Sequence, residues 1–288
     1  MPRRVAIITD STADLPPEIA AARGIAVVPL FVIFGEEQFR AGVDMSTAVF
    51  WERMLAPGAP WPGTAAASPA TFRDAYQAAF DAGAEAVVCI TISTMLSASF
   101  KSAEVGAQML PGRDVTVVDS ETASIAEAML VLHAADLADE GRSAAEIAAS
   151  VRARMADLEM YLALDTIEYL RKGGRLSAGR ATIATLLSIK PIITVADGVV
   201  EVVEKPRTRS KARARVLDRV AGGREAEKTA VLYSPGEGTD PVAFRDELLA
   251  RLPGAIDPAS VILAILGPSI GPHVGPRCMG AVILRRSA

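Results

Sequence analysis

Cysteine is scarce: the 288 residues hold two, Cys89 and Cys278, far apart and flanked by apolar residues. That excludes a disulfide framework and a paired-thiolate zinc site, and it fits a reducing, cytoplasmic setting. Histidine is equally scarce, with His133 and His273 alone, so a histidine-rich metal site is excluded and imidazole chemistry has two candidates. Positive charge is not in excess. Lys plus Arg total 30 against 34 Asp plus Glu, a formal net charge of -4, which offers nucleic acid no general attraction. The longest apolar run, 25–34, contains Pro29 and falls well short of the roughly 20 residues that span a bilayer. It reads as one buried strand. Asp10 interrupts the N-terminal apolar residues too early for a secretory signal, and no stable membrane insertion is expected.

What remains is a globular composition, 50% hydrophobic and 22% charged, enough for one large domain or two ordinary ones. The first half alternates β-branched runs (5–8, 25–34, 86–92, 115–118) with Ala-rich helical stretches. That pattern predicts parallel strands joined by crossover helices, a three-layer α/β/α domain over residues 1–157. Ser68-Pro69 opens one helix, and Ser143 with Glu146 forms a capping box ahead of another. After residue 157 the grammar changes. Asp197-Gly198 between two apolar runs is a strong hairpin signal, and strands near 229–233, 261–266 and 278–284 alternate with helices at 210–220 and 241–252. A mixed, largely antiparallel α/β domain is expected over 158–288, with the ligand between the two domains. The Gly/Pro-rich stretches 56–63 and 234–241 read as loops.

Ligands of open parallel sheets collect at the carboxyl ends of strands. Three such ends carry hydroxyls in a row: Thr9-Asp10-Ser11-Thr12, Ser93-Thr94-Met95-Leu96-Ser97 and Asp119-Ser120-Glu121-Thr122. Helix capping accounts for each singly. The crowd around Ser93 and Thr94 suits a carboxylate or phosphate oxygen. His273 sits in Gly267-Pro268-Ser269-Ile270-Gly271-Pro272-His273-Val274-Gly275-Pro276, a stiff loop between apolar strands, whereas His133 lies in an Ala-rich helix. Asp165 and Glu168 look like a capping pair for a helix ending at Lys172-Gly173-Gly174-Arg175. The basic run from Lys205 to Arg215 reads as solvated surface or as a docking patch for an anionic group. Neither a dinucleotide fingerprint, a phosphate-binding P-loop nor a nucleophile elbow occurs. A hydrolase using Ser93, His273 and Asp10 or Asp119 stays open, since triads are defined by geometry.

Taken together, the segments 8–16 (Ile-Thr-Asp-Ser-Thr-Ala-Asp-Leu-Pro), 92–97, Asp119-Ser120, 169–177 (Tyr-Leu-Arg-Lys-Gly-Gly-Arg-Leu-Ser), Lys190-Pro191-Ile192, Arg207-Thr208 and 271–276 resemble the DegV family, in order and over nearly the whole chain. The resemblance implies two α/β domains and a long-chain fatty acid buried in a tunnel. It also implies a carrier, not an enzyme: the lipid-bearing subunit of a fatty acid kinase, presenting the carboxylate to a separate ATP-dependent partner for conversion to an acyl phosphate in phospholipid synthesis. No cofactor is implied. By the same resemblance the carboxylate is held by Thr64, Ser93 and His273, with Thr94 as a substitute, and Arg175 and Arg207 stand near the head group or the kinase-docking face. Two segments depart from the family pattern. Thr64-Ala65-Ala66-Ala67-Ser68 replaces Thr-Ser-Gln-Pro-Ser, and Ser97-Ala98-Ser99 replaces Ser-Gly-Thr. The runner-up is a serine hydrolase acting on acyl esters or thioesters through Ser93 and His273.

Overall fold

The computed structural model describes residues 4–176 and 189–287; Ser177, the end of the 169–177 motif, lies outside them. Strands β1 (Val5–Asp10), β2 (Ala26–Val28), β6 (Ala86–Thr91) and β7 (Asp114–Asp119) form a parallel sheet in the order β2-β1-β6-β7. Helices α3 (Pro69–Asp81) and α4 (Ser99–Gln108) cover one face, and α5 (Ile125–Asp139) and α6 (Ala144–Arg154) the other. The expected start signals operate: the Ser68 hydroxyl accepts from the Thr71 N–H, and Ser143 and Glu146 close a full capping box. Two short helices, α1 (Pro17–Ala22) and α2 (Thr47–Leu55), complete this half.

The run 25–34 is not one strand. Pro29 carries no N–H for a ladder, so β2 stops at Val28 and the chain resumes as β3 (Phe31–Phe34) in a different sheet. There β3 pairs antiparallel with β4 (Glu37–Arg40) and β5 (Gly63–Ala65). β5 takes up the end of the stretch read as a loop, and its register places Thr64 opposite Val32.

The second half builds a six-stranded sheet in the order β10-β9-β8-β13-β11-β12. Its strands are β8 (Leu158–Ala163), β9 (Ile192–Ala196), β10 (Val199–Glu204), β11 (Ala226–Tyr233), β12 (Ile262–Ile265) and β13 (Met279–Arg285), and only the β11–β12 pair is parallel. The β9–β10 hairpin turns at Asp197 (φ 47°) and Gly198 (φ 77°), the two left-handed residues of a type I′ turn. Helices α8 (Arg209–Val220) and α9 (Pro241–Leu249) pack on one face. The other face meets α5, whose contacts reach both large sheets. Eleven of its 15 residues are buried, and five of the eleven are alanine, which lets two sheets approach one helix. The largest apolar cluster accordingly draws on both halves of the chain.

Two smaller readings change. Helix α7 (Glu168–Lys172) is not capped by Asp165, which is engaged instead with Lys190, Arg209 and Arg277; the Thr166 hydroxyl accepts from the Glu168 N–H. Half of the run's six cations are paired within the chain: Arg209 with Asp165, Arg213 with Glu247, and Arg215 with Glu204. Among the described residues no helix is long and apolar enough to cross a membrane.

Candidate ligand site

A cavity of about 180 Å³ lies between the two large sheets. Leu30, Ile92 and Leu96 supply one wall, and Leu162, Ile193 and Leu232 the opposite one. Both strands of the β9–β10 hairpin contribute as well, through Val195 and Val200.

Its polar groups are few. Thr64 Oγ1 lies 2.9 Å from His273 Nε2, a hydrogen bond across 209 residues of sequence. Thr64 arrives on β5, and His273 on the short helix α10 (Gly271–Val274), which packs against α7. That contact depends on missing side chains. A Cβ at Gly173 would stand 2.3 Å from His273 Nδ1, and one at Gly275 (φ +77°) would stand 2.3 Å from the Tyr169 ring. Tyr169 in turn stacks on Trp61, with ring centres 4.7 Å apart, and Lys172 Nζ sits 4.3 Å over the indole. The chain leading into β5 is thereby fastened to α7.

Arg175 also lines the cavity. It donates from Nε to the Leu96 carbonyl (3.1 Å) and from Nη1 to the Gly173 carbonyl (2.7 Å), and among the described residues no carboxylate pairs with it. Burial first, then the positive charge of Arg175, pushes the His273 imidazole down to about 4, so it is neutral at pH 7. Its Nδ1 is buried with no hydrogen-bond partner among the described residues.

Other residues named from the sequence stand elsewhere. Ser93 is fully buried, but its hydroxyl donates to the Gly198 carbonyl at the hairpin tip (2.7 Å) and accepts from the Met95 N–H (3.1 Å). It is not part of the cavity wall, and the Ser–His hydrogen bond that a serine hydrolase needs is not formed. Thr94 is exposed and donates to Asp119 (2.7 Å). Arg207 is exposed and outside the wall. His133 bonds Ser150 between α5 and α6.

Sequence reasoning missed a polar group behind the wall. Thr12 and Ser124 line the cavity, and beneath them lie the buried carboxyls of Asp10 and Glu127 and the part-buried carboxyl of Asp14. Thr9 Oγ1 donates to Glu127 Oε1 (2.9 Å), and Thr12 Oγ1 contacts both Glu127 Oε2 (2.9 Å) and Asp10 Oδ1. Burial raises all three acids; Asp14 reaches about 7, even though Ser124 and the Gly267 N–H donate to it. Among the described residues no group of three acids, histidines or cysteines could hold a metal ion. The one cue was Glu127 itself, a lone acid in the otherwise apolar stretch 125–132.

Comparison with known proteins agrees with the architecture. A family model described as "Uncharacterised protein, DegV family" matches residues 4–286. A DegV domain-containing protein of Streptomyces coelicolor is 33% identical, over 99% of this chain and 100% of its own length. Another, from Deinococcus radiodurans, is 33% identical over 99% of each. Among solved structures, a Thermus thermophilus DegV family protein described for fatty acid binding superimposes with a TM-score of 0.88 at 32% identity, covering 99% of this chain and 100% of that one. Bacillus subtilis DegV, described as a fatty acid binding protein, gives 0.87 at 28% identity with the same coverage. A stearic acid-binding protein from Eubacterium ventriosum gives 0.86 at 25% identity, covering 98% of both. With a family match over nearly its full length and relatives a third identical, the chain belongs to the DegV family.

Proposed function

We propose that this protein binds a long-chain fatty acid in the cavity between its sheets and presents the carboxylate to a separate ATP-using kinase. The observation that carries the reading is an apolar cavity whose polar groups include a Thr64–His273 pair and an arginine that no carboxylate pairs with among the described residues. A cavity of about 150 Å³ takes one benzene, about 25 Å³ per carbon, so 180 Å³ holds about seven methylene-sized groups. Burying them at about 0.8 kcal/mol each contributes about 6 kcal/mol before immobilisation costs. The tail then supplies the affinity, and the head group has only to keep its hydrogen bonds.

Neutral groups suit that task. With its proton on Nε2, His273 donates to Thr64 Oγ1, and the Thr64 hydroxyl proton is free to donate to a carboxylate. Arg175 offsets the ligand's charge without closing around it, since two of its N–H groups are spent on backbone carbonyls. A head group held this loosely stays available to a phosphoryl donor. In this reading Thr64, His273 and Arg175 bind the ligand, while Ser93 secures the hairpin that walls the tail.

Organic extraction of the purified protein followed by mass spectrometry tests the binding half: long-chain acids are expected, at lower occupancy in Thr64→Val and His273→Ala. An extract free of acyl chains refutes it. For the kinase half, the lipid-loaded protein is incubated with ATP and a lysate of its source, and hydroxylamine traps any acyl phosphate as a hydroxamate. No hydroxamate above a lipid-free control rejects the presenting role.

A further inference from the structure

A second cavity, of about 220 Å³, opens at the end of β8 on the face that carries α8. Lys190, Arg209, Ser210, Arg213, Thr239 and Arg277 line it. Three of these cations, from three separate segments, converge on one carboxylate. Lys190 Nζ and Arg209 Nε lie 2.7 and 2.8 Å from Asp165 Oδ1, and Arg277 Nη2 bonds Oδ2. Neutralising a carboxylate with 10% of its side chain exposed takes one cation; the other two are surplus and repel each other. Arg209 Nη1 also donates to the Glu237 backbone carbonyl (3.2 Å), and Arg213 is already matched by Glu247.

Two further features go against the fold's own preferences. Helix α8 begins here with Arg209, Lys211 and Arg213 and no acid in its first turn, cations at the positive end of the helix dipole. Arg277 has φ +61°, a region L side chains rarely adopt, and its side chain lies over Gly236, where a Cβ would stand 2.2 Å from Arg277 Cγ. Crowded cations, a wrongly signed helix start and a strained arginine all face one cleft, and an anion in it relieves the first two.

We infer that this cleft binds a phosphoryl group. A tetrahedral dianion presents oxygens in several directions, enough to meet Arg209, Arg277 and Lys190 together with the hydroxyls of Ser210 and Thr239. The site shares no residue with the acyl cavity and does not depend on the lipid reading.

Isothermal titration of the full chain with inorganic phosphate, at ionic strength held constant with chloride, tests the proposal. Saturable one-to-one binding is expected, weakened at least about tenfold in Arg209→Gln/Arg277→Gln and unchanged in the exposed control Arg142→Gln. ATP without magnesium distinguishes the sources: tighter binding with the same variant sensitivity assigns the site to a nucleotide phosphate, and equal or weaker binding to free phosphate. Should the double variant fail to fold, Arg277→Gln alone, which leaves Lys190 and Arg209 on Asp165, is read in its place. No saturable phosphate binding by the wild type, or variants that bind as it does, overturns the inference.

Discussion

Glu127→Gln is expected to stabilise the protein at neutral pH, although it removes a buried, doubly hydrogen-bonded carboxyl. A proton count gives the reason. Thr12 Oγ1 has one hydrogen and two acidic neighbours, Asp10 Oδ1 and Glu127 Oε2. If it donates to Asp10, Glu127 must supply the proton for the other bond, while Thr9 donates to Glu127 Oε1. Glu127 is then a neutral acid, in keeping with burial and the nearby Asp10 charge, which raise it well above 4.5. Unfolded, the same glutamate ionises near its ordinary value, so folding at pH 7 takes up a proton across about 2.5 pH units. At 1.36 kcal/mol per unit this costs about 3 kcal/mol. A glutamine amide reproduces the bonds of the neutral acid, donating to Thr12 and accepting from Thr9, and carries no such cost. The gain should approach that 3 kcal/mol at pH 7 and vanish near pH 4.5, where unfolded Glu127 is itself half protonated. Urea denaturation of both proteins at the two pH values measures it. If Glu127→Gln is destabilised equally at both, Glu127 is an anion in the fold and the proton count is wrong.

Other consequences follow from the same geometry. Protonation of His273, depressed to about 4, favours the unfolded chain; wild-type stability relative to His273→Gln should therefore fall by about 3 kcal/mol as pH drops from 6.5 to 4, read from paired denaturation curves. Gly173→Ala places a Cβ against His273 Nδ1, so it should cost about 1–3 kcal/mol and lower the acyl content of the purified protein, by denaturation and mass spectrometry. Ser93→Ala leaves the buried Gly198 carbonyl without its donor and should cost about 1–3 kcal/mol in urea melts, while reducing lipid retention less than Thr64→Val does. The opposite ranking would place Ser93 at the head group.

Much of the fold was legible because its signals are local. The β-branched runs at 5–8, 86–92 and 115–118, the capping box at Ser143 and the Asp197-Gly198 turn each carry their cause within a few residues, and each element forms where expected. The small sheet was not legible. β4 reads Glu-Gln-Phe-Arg and is mostly exposed, so neither periodicity nor apolarity marks it, and β5 is three residues at the edge of a Pro/Gly-rich stretch. Yet β5 is what delivers Thr64. The Thr64–His273 contact spans 209 residues, and no spacing rule reaches that far; the family resemblance, not local pattern, named the pair. Ser93 shows the reverse limit. A hydroxyl at a strand end looks ligand-directed until the hairpin tip from the other half arrives with a carbonyl to accept its proton.

His273, Glu127 and part of Asp14 are held neutral, and by one cause acting in two directions. Burial takes the proton off His273 and keeps protons on Glu127 and, near neutrality, on part of Asp14. A lining built this way keeps its own charge out of the tail's surroundings and leaves Arg175 as the wall's cation for an incoming carboxylate. The two classes also oppose each other on acidification. Between pH 6.5 and 4 the imidazole withdraws stability while the acids, which bind more protons folded than unfolded, return it. The wild type should therefore show a shallow acid limb that neither class alone would give. In Glu127→Gln one of the returning contributions is gone, so its stability should fall more steeply over the same interval. A steeper limb in that variant, with the wild type nearly level, ties the neutral wall of the cavity to the proton balance of the whole fold.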